Sequence, residues 1–206
     1  MAGEEKKNGR NKALRILNIA LIVLVAALVV FLVVKVFFVT RITVTQTSMS
    51  PTYADGESVF VNRLGSIERG KVVVYFDDDV AVPRLASAFG LFAGEAKLLI
   101  KRVVALENDM IWLERVEGGY EVVIRFSDGE DGTTKEEYTD RNGEKVALDP
   151  ITLNPDIAGV LRNATRWDPY IVGEGCAFMM GDNRTVSQDS RVMGDVPLSR
   201  VIGTVD

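Results

Sequence analysis

Hydrophobic positions fall into two regimes along the chain. Residues 16–34 form a near-continuous apolar run in which Asn18 is the only polar residue. Beyond residue 40, apolar positions come in short runs, several of them alternating with polar positions and separated by Gly, Asp and Asn turn signals. The long run predicts a membrane-spanning helix, whereas the short runs predict β-strands.

The apolar run is long enough to cross a bilayer. At 1.5 Å per residue it covers about 29 Å, close to the hydrocarbon thickness. No small-x-small cleavage site closes the run, so an uncleaved signal-anchor helix over residues 16–39 is favoured over a cleaved secretory signal. Residues 1–15 carry a basic cluster, and the positive-inside rule therefore predicts a cytoplasmic N-terminus. The cluster consists of Lys6, Lys7, Arg10, Lys12 and Arg15.

Residues 40–206 predict an all-β extracytoplasmic domain. No sustained helical periodicity or internal repeat is visible there, and turn signals such as "ADG", "EN" and "EGG" separate the strand-like runs. These runs are "RITVTQT", "ESVFVNR", "KVVVYF", "DMIWLERV", "YEVVIRF", "CAFMMG" and "RVIGTV". We therefore expect one transmembrane α-helix followed by an all-β domain.

Two segments differ from this strand pattern. Residues 127–170 begin with the polar, turn-rich stretch "SDGEDGTTKEEYTDRNGEK", which is typical of an insertion or hairpin excursion. Residues 83–100 are apolar and rich in Gly and Ala. They indicate either a short helix or loop packed on the core or, over residues 84–94, a segment that enters the outer bilayer surface.

Composition excludes several kinds of chemistry. The chain has no histidine, so neither a Ser-His-Asp triad nor a zinc site built on imidazole can form. Its single cysteine, Cys176, excludes an intrachain disulfide and lies in the apolar stretch "CAFMM", which favours a small core residue. The net charge is −5, and from residue 36 onward 27 acidic residues outnumber 18 basic ones. No basic patch is evident in that part of the chain, so we expect no nucleic-acid partner.

Ser48 lies in "TQTSMSPT", shortly after the apolar run. A serine hydroxyl needs an adjacent base, and without histidine a neutral lysine is a candidate. The lysine pKa of about 10.4 falls to roughly 5 or 6 when the amine is buried among apolar groups. Lys101 in "LLIKRVVAL" is flanked by aliphatic residues and on a strand would share a face with Leu99 and Val103. From this stretch alone, a charged residue on an edge strand remains the alternative.

A third motif, "GDNRTVSQDSRVMGDV", covers residues 181–196. Its Gly-Asp-Asn opening is turn chemistry, and its Asp and Arg residues could tie a loop together through charge-assisted hydrogen bonds. Taken alone, the motif is also compatible with a solvated, well-capped loop.

Together these motifs resemble those of bacterial type I signal peptidases, the membrane-anchored Ser-Lys proteases that remove signal peptides. "SMSPT" resembles the nucleophile motif, "RGKVVVYF" the strand motif that follows it, and "KRVVALENDMI" the motif with the catalytic lysine. "GDNRTVSQDSRVMGDV" resembles the most specific signature of the family. The resemblance runs in order along nearly the whole chain. It implies an all-β catalytic domain with a variable inserted β subdomain, which fits residues 127–170.

The resemblance implies a role for each candidate residue. Ser48 would be the nucleophile, Lys101 the general base, and Ser187 the residue that orients the lysine amine. The backbone N–H of Ser48 and the side chain of Gln46 would stabilise the oxyanion, which needs preorganised donors. No metal or cofactor is implied.

The same resemblance assigns supporting residues in the third motif. Asp189 and Arg191 would form a salt bridge that holds the loop, with Asp182 and Arg184 nearby. The chain departs from the family pattern after the lysine, where Asn108 stands in place of a turn glycine. Since Asn tolerates a positive φ, we expect the turn to be retained.

The implied function is cleavage of preprotein signal peptides at the cell membrane by a monomeric, single-pass enzyme in contact with the lipid bilayer.

Residues Ala86-Ser87-Ala88 match the small-x-small pattern of its substrates, so self-cleavage after Ala88 is conceivable, although chance explains such a pattern in an Ala-rich stretch. A self-cleaving repressor is opposed by the membrane span and the acidic exterior. A catalytically inactive, membrane-anchored β-domain that binds a partner is opposed by the set Ser48, Lys101 and Ser187.

Overall fold

The computed structural model divides into two compact units, one ending at Val39 and the other beginning at Thr40. The structure describes residues 2–77, 97–128, 133–140, 142–152 and 155–205. The predicted interfacial segment 84–94, with Ala86-Ser87-Ala88, lies outside the described residues.

The first unit is a single helix, α1 (Ala2–Phe38). Its Leu14–Phe31 window has a mean hydropathy of 2.8 and no buried residues, so this helix is long and apolar enough to cross a membrane. The helix begins well before the predicted span of residues 16–39 and continues through the basic N-terminal segment.

The second unit is built mainly from strands, and the predicted all-β domain is confirmed. Each strand-like run of the sequence corresponds to an observed strand. The strands are β1 (Val39–Thr43), β2 (Ser58–Asn62), β3 (Val72–Phe76), β4 (Leu98–Leu106), β5 (Met110–Val116), β6 (Gly119–Arg125), β7 (Thr133–Lys135), β8 (Tyr170–Ile171), β9 (Cys176–Met180), β10 (Val196–Pro197) and β11 (Val201–Val205).

Short helical turns connect some of the strands. They are α2 (Pro155–Ala158), a 3₁₀ helix over Gly159–Asn163, α3 (Ser190–Met193) and a 3₁₀ helix over Leu198–Arg200. Asp189 caps α3 because its side chain accepts a hydrogen bond from the backbone N–H of Arg191. Turns this short are invisible to an analysis of helical periodicity, because they do not complete two turns.

In the described part of the chain the strands form two sheets. One has seven strands in the order β1-β2-β11-β3-β4-β9-β10, and the other has four in the order β7-β6-β5-β8. Strand β4 lies between β3 and β9, pairing antiparallel with both. In the β3–β4 pair, Val73 is opposite Lys101 and Tyr75 is opposite Leu99.

Both faces of β3 and β4 are covered by apolar side chains, and alternation along the strands separates the two faces. Val72, Val74 and Ile100 belong to one buried cluster, whereas Val73 and Val103 belong to another. Leu99 packs against this second cluster. Lys101 shares the face of Leu99 and Val103, as predicted from the sequence.

The four-stranded sheet has its own apolar cluster, which includes Trp112 from β5 and Phe178 from β9. Ile151 and Leu161 lie in the same cluster, and both come from the predicted insertion, residues 127–170. The insertion is therefore not only a solvated excursion. That residues 127–170 form a separate variable subdomain stays a prediction.

Candidate active site

Two residues from distant parts of the sequence meet at the centre of the site. Ser48 lies in a turn that follows β1, and Lys101 lies in the middle of β4. The Nζ atom of Lys101 is 2.8 Å from the Oγ atom of Ser48, which is hydrogen-bond distance. Ser48 is half-buried, while only 3% of Lys101 is exposed. A hydroxyl in contact with a buried amine is the arrangement that nucleophilic catalysis by serine and lysine requires.

Burial changes the acid–base properties of Lys101. Desolvation lowers the pKa of its amine from the ordinary value to about 8, because the charged form loses hydration in the apolar sheet. The negative charge of Asp189 opposes this effect, whereas Lys97 and Arg191 add to it. A substantial fraction of the amine is therefore neutral near pH 8 and can accept a proton.

The loop after β9 is held by a buried ion pair. Arg191 donates from Nε and Nη2 to Asp189 at 2.8 and 2.9 Å, and both side chains are fully buried. Burial tends to raise the pKa of Asp189, but the hydrogen bonds and charge of Arg191 outweigh it and lower that pKa. Arg191 also donates to the backbone carbonyls of Arg184 and Ser187, at 2.8 and 3.2 Å. The guanidinium thus closes the loop on itself.

The same loop contacts the serine turn directly. The backbone N–H of Asn183 donates to the Ser48 carbonyl at 3.1 Å, and its side chain donates to the Thr47 carbonyl at 3.2 Å. A Cβ atom on Gly181 would lie 2.4 Å from the Ser48 carbonyl and 2.2 Å from Ser187 Oγ. Only glycine leaves room for this approach.

Ser187 is buried beside this contact. No acceptor or donor lies in hydrogen-bonding geometry with its Oγ atom among the described residues, although the hydroxyl is close enough to contribute to lowering the pKa of Asp189. No hydrogen bond joins it to Lys101 in the described part of the chain. Its predicted role in orienting the lysine stays a prediction.

Asp182 links the serine turn to the lysine strand. Arg102 donates to it from Nε at 2.8 Å and from Nη2 at 2.6 Å, and the hydroxyl of Thr52 also donates to it. Arg102 directly follows Lys101 and points to the opposite face of β4. The sequence interpretation missed Arg102, although an arginine inside an apolar strand signals a buried acidic partner.

Arg184 pairs with a residue of the polar excursion. It makes a bidentate contact with Glu136, in which Nη2 donates to Oε1 at 2.7 Å. Burial alone would lower the pKa of Arg184. The charge and hydrogen bonds of the Glu136 carboxylate act in the opposite direction, and the net result is that the pKa of Arg184 is raised above its ordinary value. The Tyr138 hydroxyl also donates to Glu136, at 2.7 Å, and its ring lies under the Arg102 guanidinium. The sequence interpretation missed Glu136 and Tyr138, because nothing distinguishes them from their solvated neighbours in "TKEEYTD".

The two predicted oxyanion donors differ in their surroundings. In the described residues the Ser48 backbone N–H has no hydrogen-bond acceptor, so it is free to donate. Gln46 is exposed, has a φ of 73°, and donates its backbone N–H to Asp55. No hydrogen bond between described residues brings its side-chain amide to Ser48. The assignment of Gln46 stays a prediction.

The turn after the lysine strand is retained, as predicted. Asn108 has a φ of 63°, the conformation that glycine would adopt there. Asp109 is buried and accepts hydrogen bonds from the Leu106 backbone N–H and from Arg69, both at 2.7 to 2.8 Å.

Among the described residues, no group of acidic or cysteine side chains could hold a metal ion. Cys176 is half-buried at the edge of an apolar cluster rather than within it.

The chain is similar to known proteins along most of its length. Residues 16–206 match the model of the family described as signal peptidase, peptidase S26. The chain is 29% identical over 189 residues to signal peptidase IB of Staphylococcus aureus, covering 90% of this chain and 85% of the relative. It is 28% identical over 188 residues to signal peptidase I of Bacillus amyloliquefaciens, covering 88% and 79%. A crystal structure of a signal peptidase I from Enterococcus faecalis V583 is 18% identical, covers 69% of this chain and 98% of that chain, and aligns with a TM-score of 0.34.

A serine in contact with a buried lysine has the groups that a hydrolase acting without histidine would need. Because the family model covers nearly the whole sequence, the chain belongs to the signal peptidase family, peptidase S26, and is a serine endopeptidase of the signal peptidase I type.

Proposed function

We propose that Ser48 and Lys101 are the catalytic dyad with which this chain removes signal peptides from exported preproteins. The observation that carries the proposal is the 2.8 Å contact between Ser48 Oγ and the buried Lys101 amine, whose pKa is lowered to about 8. Without this lowering, too little neutral amine would be present to activate the serine.

The dyad would act in two steps. Neutral Lys101 takes the proton of Ser48 as Oγ attacks the carbonyl carbon of the scissile bond, forming a tetrahedral intermediate. The Ser48 backbone N–H and the side chain of Gln46 stabilise the oxyanion, and a donor of this kind is typically worth about 3 kcal/mol. The Lys101 ammonium then gives its proton to the leaving amine. Water then attacks the acyl-enzyme while Lys101 takes its proton. The ester bond to Ser48 Oγ breaks as Lys101 returns that proton to Oγ, which regenerates the neutral dyad.

The loop after β9 would hold Ser48 and Lys101 in the relative position that proton transfer needs. Ser187 orients the lysine amine, while the pair Asp189–Arg191 holds the loop and Asp182 and Arg184 connect it to neighbouring elements. Misplacing reacting groups by about 1 Å can cost a hundredfold in rate, so this support is expected to matter for turnover.

The substrate and the enzyme would meet at a membrane surface. The basic cluster before the span favours a cytoplasmic N-terminus and a catalytic domain on the outer face of the cell membrane. A signal peptide whose apolar segment lies in the bilayer presents its cleavage site to a membrane-anchored enzyme. Anchoring both partners raises their effective concentration. The enzyme acts as a monomer in this proposal.

The test uses purified full-length protein in detergent, incubated with a preprotein, with product masses measured directly. Wild type should release one defined signal peptide, and Ser48→Ala and Lys101→Ala should each abolish cleavage, because a dyad acts as one unit. Lys145→Ala is the matched control, since Lys145 is an exposed lysine that pairs with the exposed Glu137, and it should cleave normally. Cleavage by Ser48→Ala would refute the dyad. A folded wild type that binds preproteins without cutting them would favour the binding-module alternative.

A further inference from the structure

The hydroxyl of Tyr75 in β3 is a buried polar group without a role in the proposed mechanism. Only 1% of Tyr75 is exposed, and its hydroxyl oxygen has no hydrogen-bond partner among the described residues. Burying a hydroxyl without a partner is unfavourable, and the apolar face of β3 would accept phenylalanine equally well. A tyrosine here therefore needs an explanation other than packing.

The strand register places Tyr75 beside the catalytic lysine. Tyr75 is opposite Leu99 and Val73 is opposite Lys101, so Tyr75 and Lys101 are diagonal neighbours. Because β-strand side chains alternate, both residues lie on the same face of the sheet. Diagonal neighbours lie about 7–8 Å apart, within reach of aromatic and long side chains.

The tyrosine hydroxyl and the lysine amine also lie in the field of the same carboxylates. Desolvation raises the pKa of Tyr75, Asp189 and Asp77 raise it further, and Arg200 opposes them. Asp189 and Asp77 also act on Lys101, where Lys97 and Arg191 are the other charged neighbours. The raised pKa keeps the Tyr75 hydroxyl protonated across the working range of the enzyme, so it can donate and accept hydrogen bonds but not act as a base.

The catalytic cycle creates a demand that this hydroxyl can meet. When Lys101 takes the proton of Ser48, its amine becomes an ammonium with three N–H donors and no acceptor capacity. The contact to Ser48 Oγ satisfies one of them. An ammonium in a buried site is costly unless its donors find acceptors.

We infer that Tyr75 is a positioning residue for the protonated form of Lys101, with its hydroxyl accepting a hydrogen bond from Nζ and donating one toward Asp189. This inference rests on the proposed Ser48–Lys101 dyad. Tyr75 would hold the ammonium in place between its formation and the transfer of its proton to the leaving amine.

A purely local role gives a different expectation. Tyr75 also lines a polar cavity of about 320 Å³ together with Asp77, Asp195 and Arg200. If the hydroxyl serves only this cavity, its removal should leave both turnover and pH dependence unchanged.

The test compares Tyr75→Phe with wild type in full-length protein, using preprotein cleavage in detergent. We expect kcat to fall about tenfold with little change in KM, as for loss of a hydrogen bond to a charged group. The acid limb of kcat/KM should move to lower pH by about half a unit, because the ammonium loses an acceptor and its pKa falls. The thermal unfolding midpoint should stay the same or rise, since an unpaired buried hydroxyl has been removed.

Tyr170→Phe is the matched control. Its hydroxyl donates to Asp195 at 3.1 Å, so the substitution should lower the unfolding midpoint while leaving kcat and the acid limb as in wild type. A Tyr75→Phe enzyme with unchanged kcat and an unchanged acid limb would overturn the inference. Ser48→Ala in the same assay separates the two proposals. If it is inactive while Tyr75→Phe matches wild type, the dyad stands and the role of Tyr75 does not.

Discussion

A single lysine illustrates how position determines chemistry in this protein. Lys101 lies on a strand whose neighbours are aliphatic, so its amine is desolvated and its pKa falls to about 8. Lys97 is close to it in sequence, but it is mostly exposed and pairs with Asp77. Burial is the largest cause of the lowered pKa of Lys101, and the charges of Lys97 and Arg191 add to it, so part of this amine is neutral at a useful pH.

The lowered pKa predicts the pH dependence of cleavage. Because Lys101 must be neutral to take the Ser48 proton, kcat/KM should rise with pH, pass its midpoint near pH 8 and reach a plateau above it. Initial rates measured between about pH 6 and 10 with one preprotein would show this. The chain has no histidine, so an acid limb centred near the ordinary histidine value of about 6.5 would contradict the assignment of Lys101 as the base.

Gly181 is the second position where one residue limits the site. In Gly181→Ala the new methyl group would meet the Ser48 carbonyl and the Ser187 hydroxyl, so the loop and the serine turn must separate. We expect at least a tenfold loss of kcat, with roughly 1–3 kcal/mol lost from the free energy of unfolding.

Gly119→Ala is the control for Gly181→Ala. A methyl group there would also clash, at 2.8 Å from the Ile151 carbonyl, but Gly119 lies in β6 of the four-stranded sheet, whereas Lys101 lies in the seven-stranded sheet. It should reduce stability while preserving kcat below the unfolding temperature. Normal turnover by Gly181→Ala would show that the close approach has no catalytic importance.

At the scale of elements, alternation lets β4 perform two tasks. Lys101 faces the serine, and the next residue, Arg102, faces Asp182 on the other side of the sheet. Within the described residues, two buried ion pairs tie the loop after β9 to other elements and a third closes the loop internally, and buried pairs of this kind are costly to break. They are Asp182–Arg102, Arg184–Glu136 and, within the loop, Arg191–Asp189.

Variants of two adjacent glutamates, Glu136 and Glu137, would test how much the polar excursion contributes to the stability of the protein. Glu136 is 4% exposed and pairs with buried Arg184, whereas the neighbouring Glu137 is 71% exposed and pairs with Lys145. Glu136→Gln should lower the free energy of unfolding by about 3–5 kcal/mol, because it leaves a buried guanidinium without its counter-charge. Glu137→Gln should have no measurable effect.

Denaturant unfolding followed by tryptophan fluorescence would measure the free energy of unfolding of both glutamate variants. Cleavage assays on the same samples would show whether the loss of the Arg184 partner also reaches the dyad. Equal stability of the two variants would mean that the excursion does not support the loop after β9.

At the scale of the whole molecule, the two proposed tasks belong to different parts of the chain. The long apolar helix would anchor the protein, and the β domain would carry the chemistry. The helix window Leu14–Phe31 is apolar and has no buried residues, which suits a lipid environment. The β domain has apolar clusters of its own and supplies every residue of the proposed site.

The single cysteine offers a test of the proposed orientation. Cys176 is half-buried in the β domain, and burial raises the pKa of its thiol, with Asp195 and Glu107 adding to the effect. At alkaline pH, a membrane-impermeant maleimide should label Cys176 in intact cells as well as in broken cells. Replacing the basic residues of positions 1–15 with Gln should reduce labelling in intact cells.

Cys176→Ser is the control for this experiment and should not be labelled in either preparation. Labelling that appears only after the cells are broken would place the β domain in the cytoplasm. The proposed orientation would then be wrong.

Local signals were sufficient for much of this protein. Hydrophobic periodicity predicted the membrane helix and the strands, because both depend on contacts repeated along the chain. The absence of histidine and the apolar surroundings of Lys101 made a Ser-Lys pair a candidate, and the resemblance of the motifs to those of signal peptidases assigned it. Asn108 was expected at a positive φ because turn chemistry is local.

Other features depend on pairing between distant segments, and only the tertiary structure decided them. The contact of Asp182 with Thr52 and Arg102, and the burial of Glu136 beside Arg184, join segments far apart in sequence. A sequence shows that Asp and Glu are charged but not which cation meets them, since burial and partner choice are set by how strands and loops pack. The same holds for Tyr75, whose place beside Lys101 depends on the register of β3 against β4.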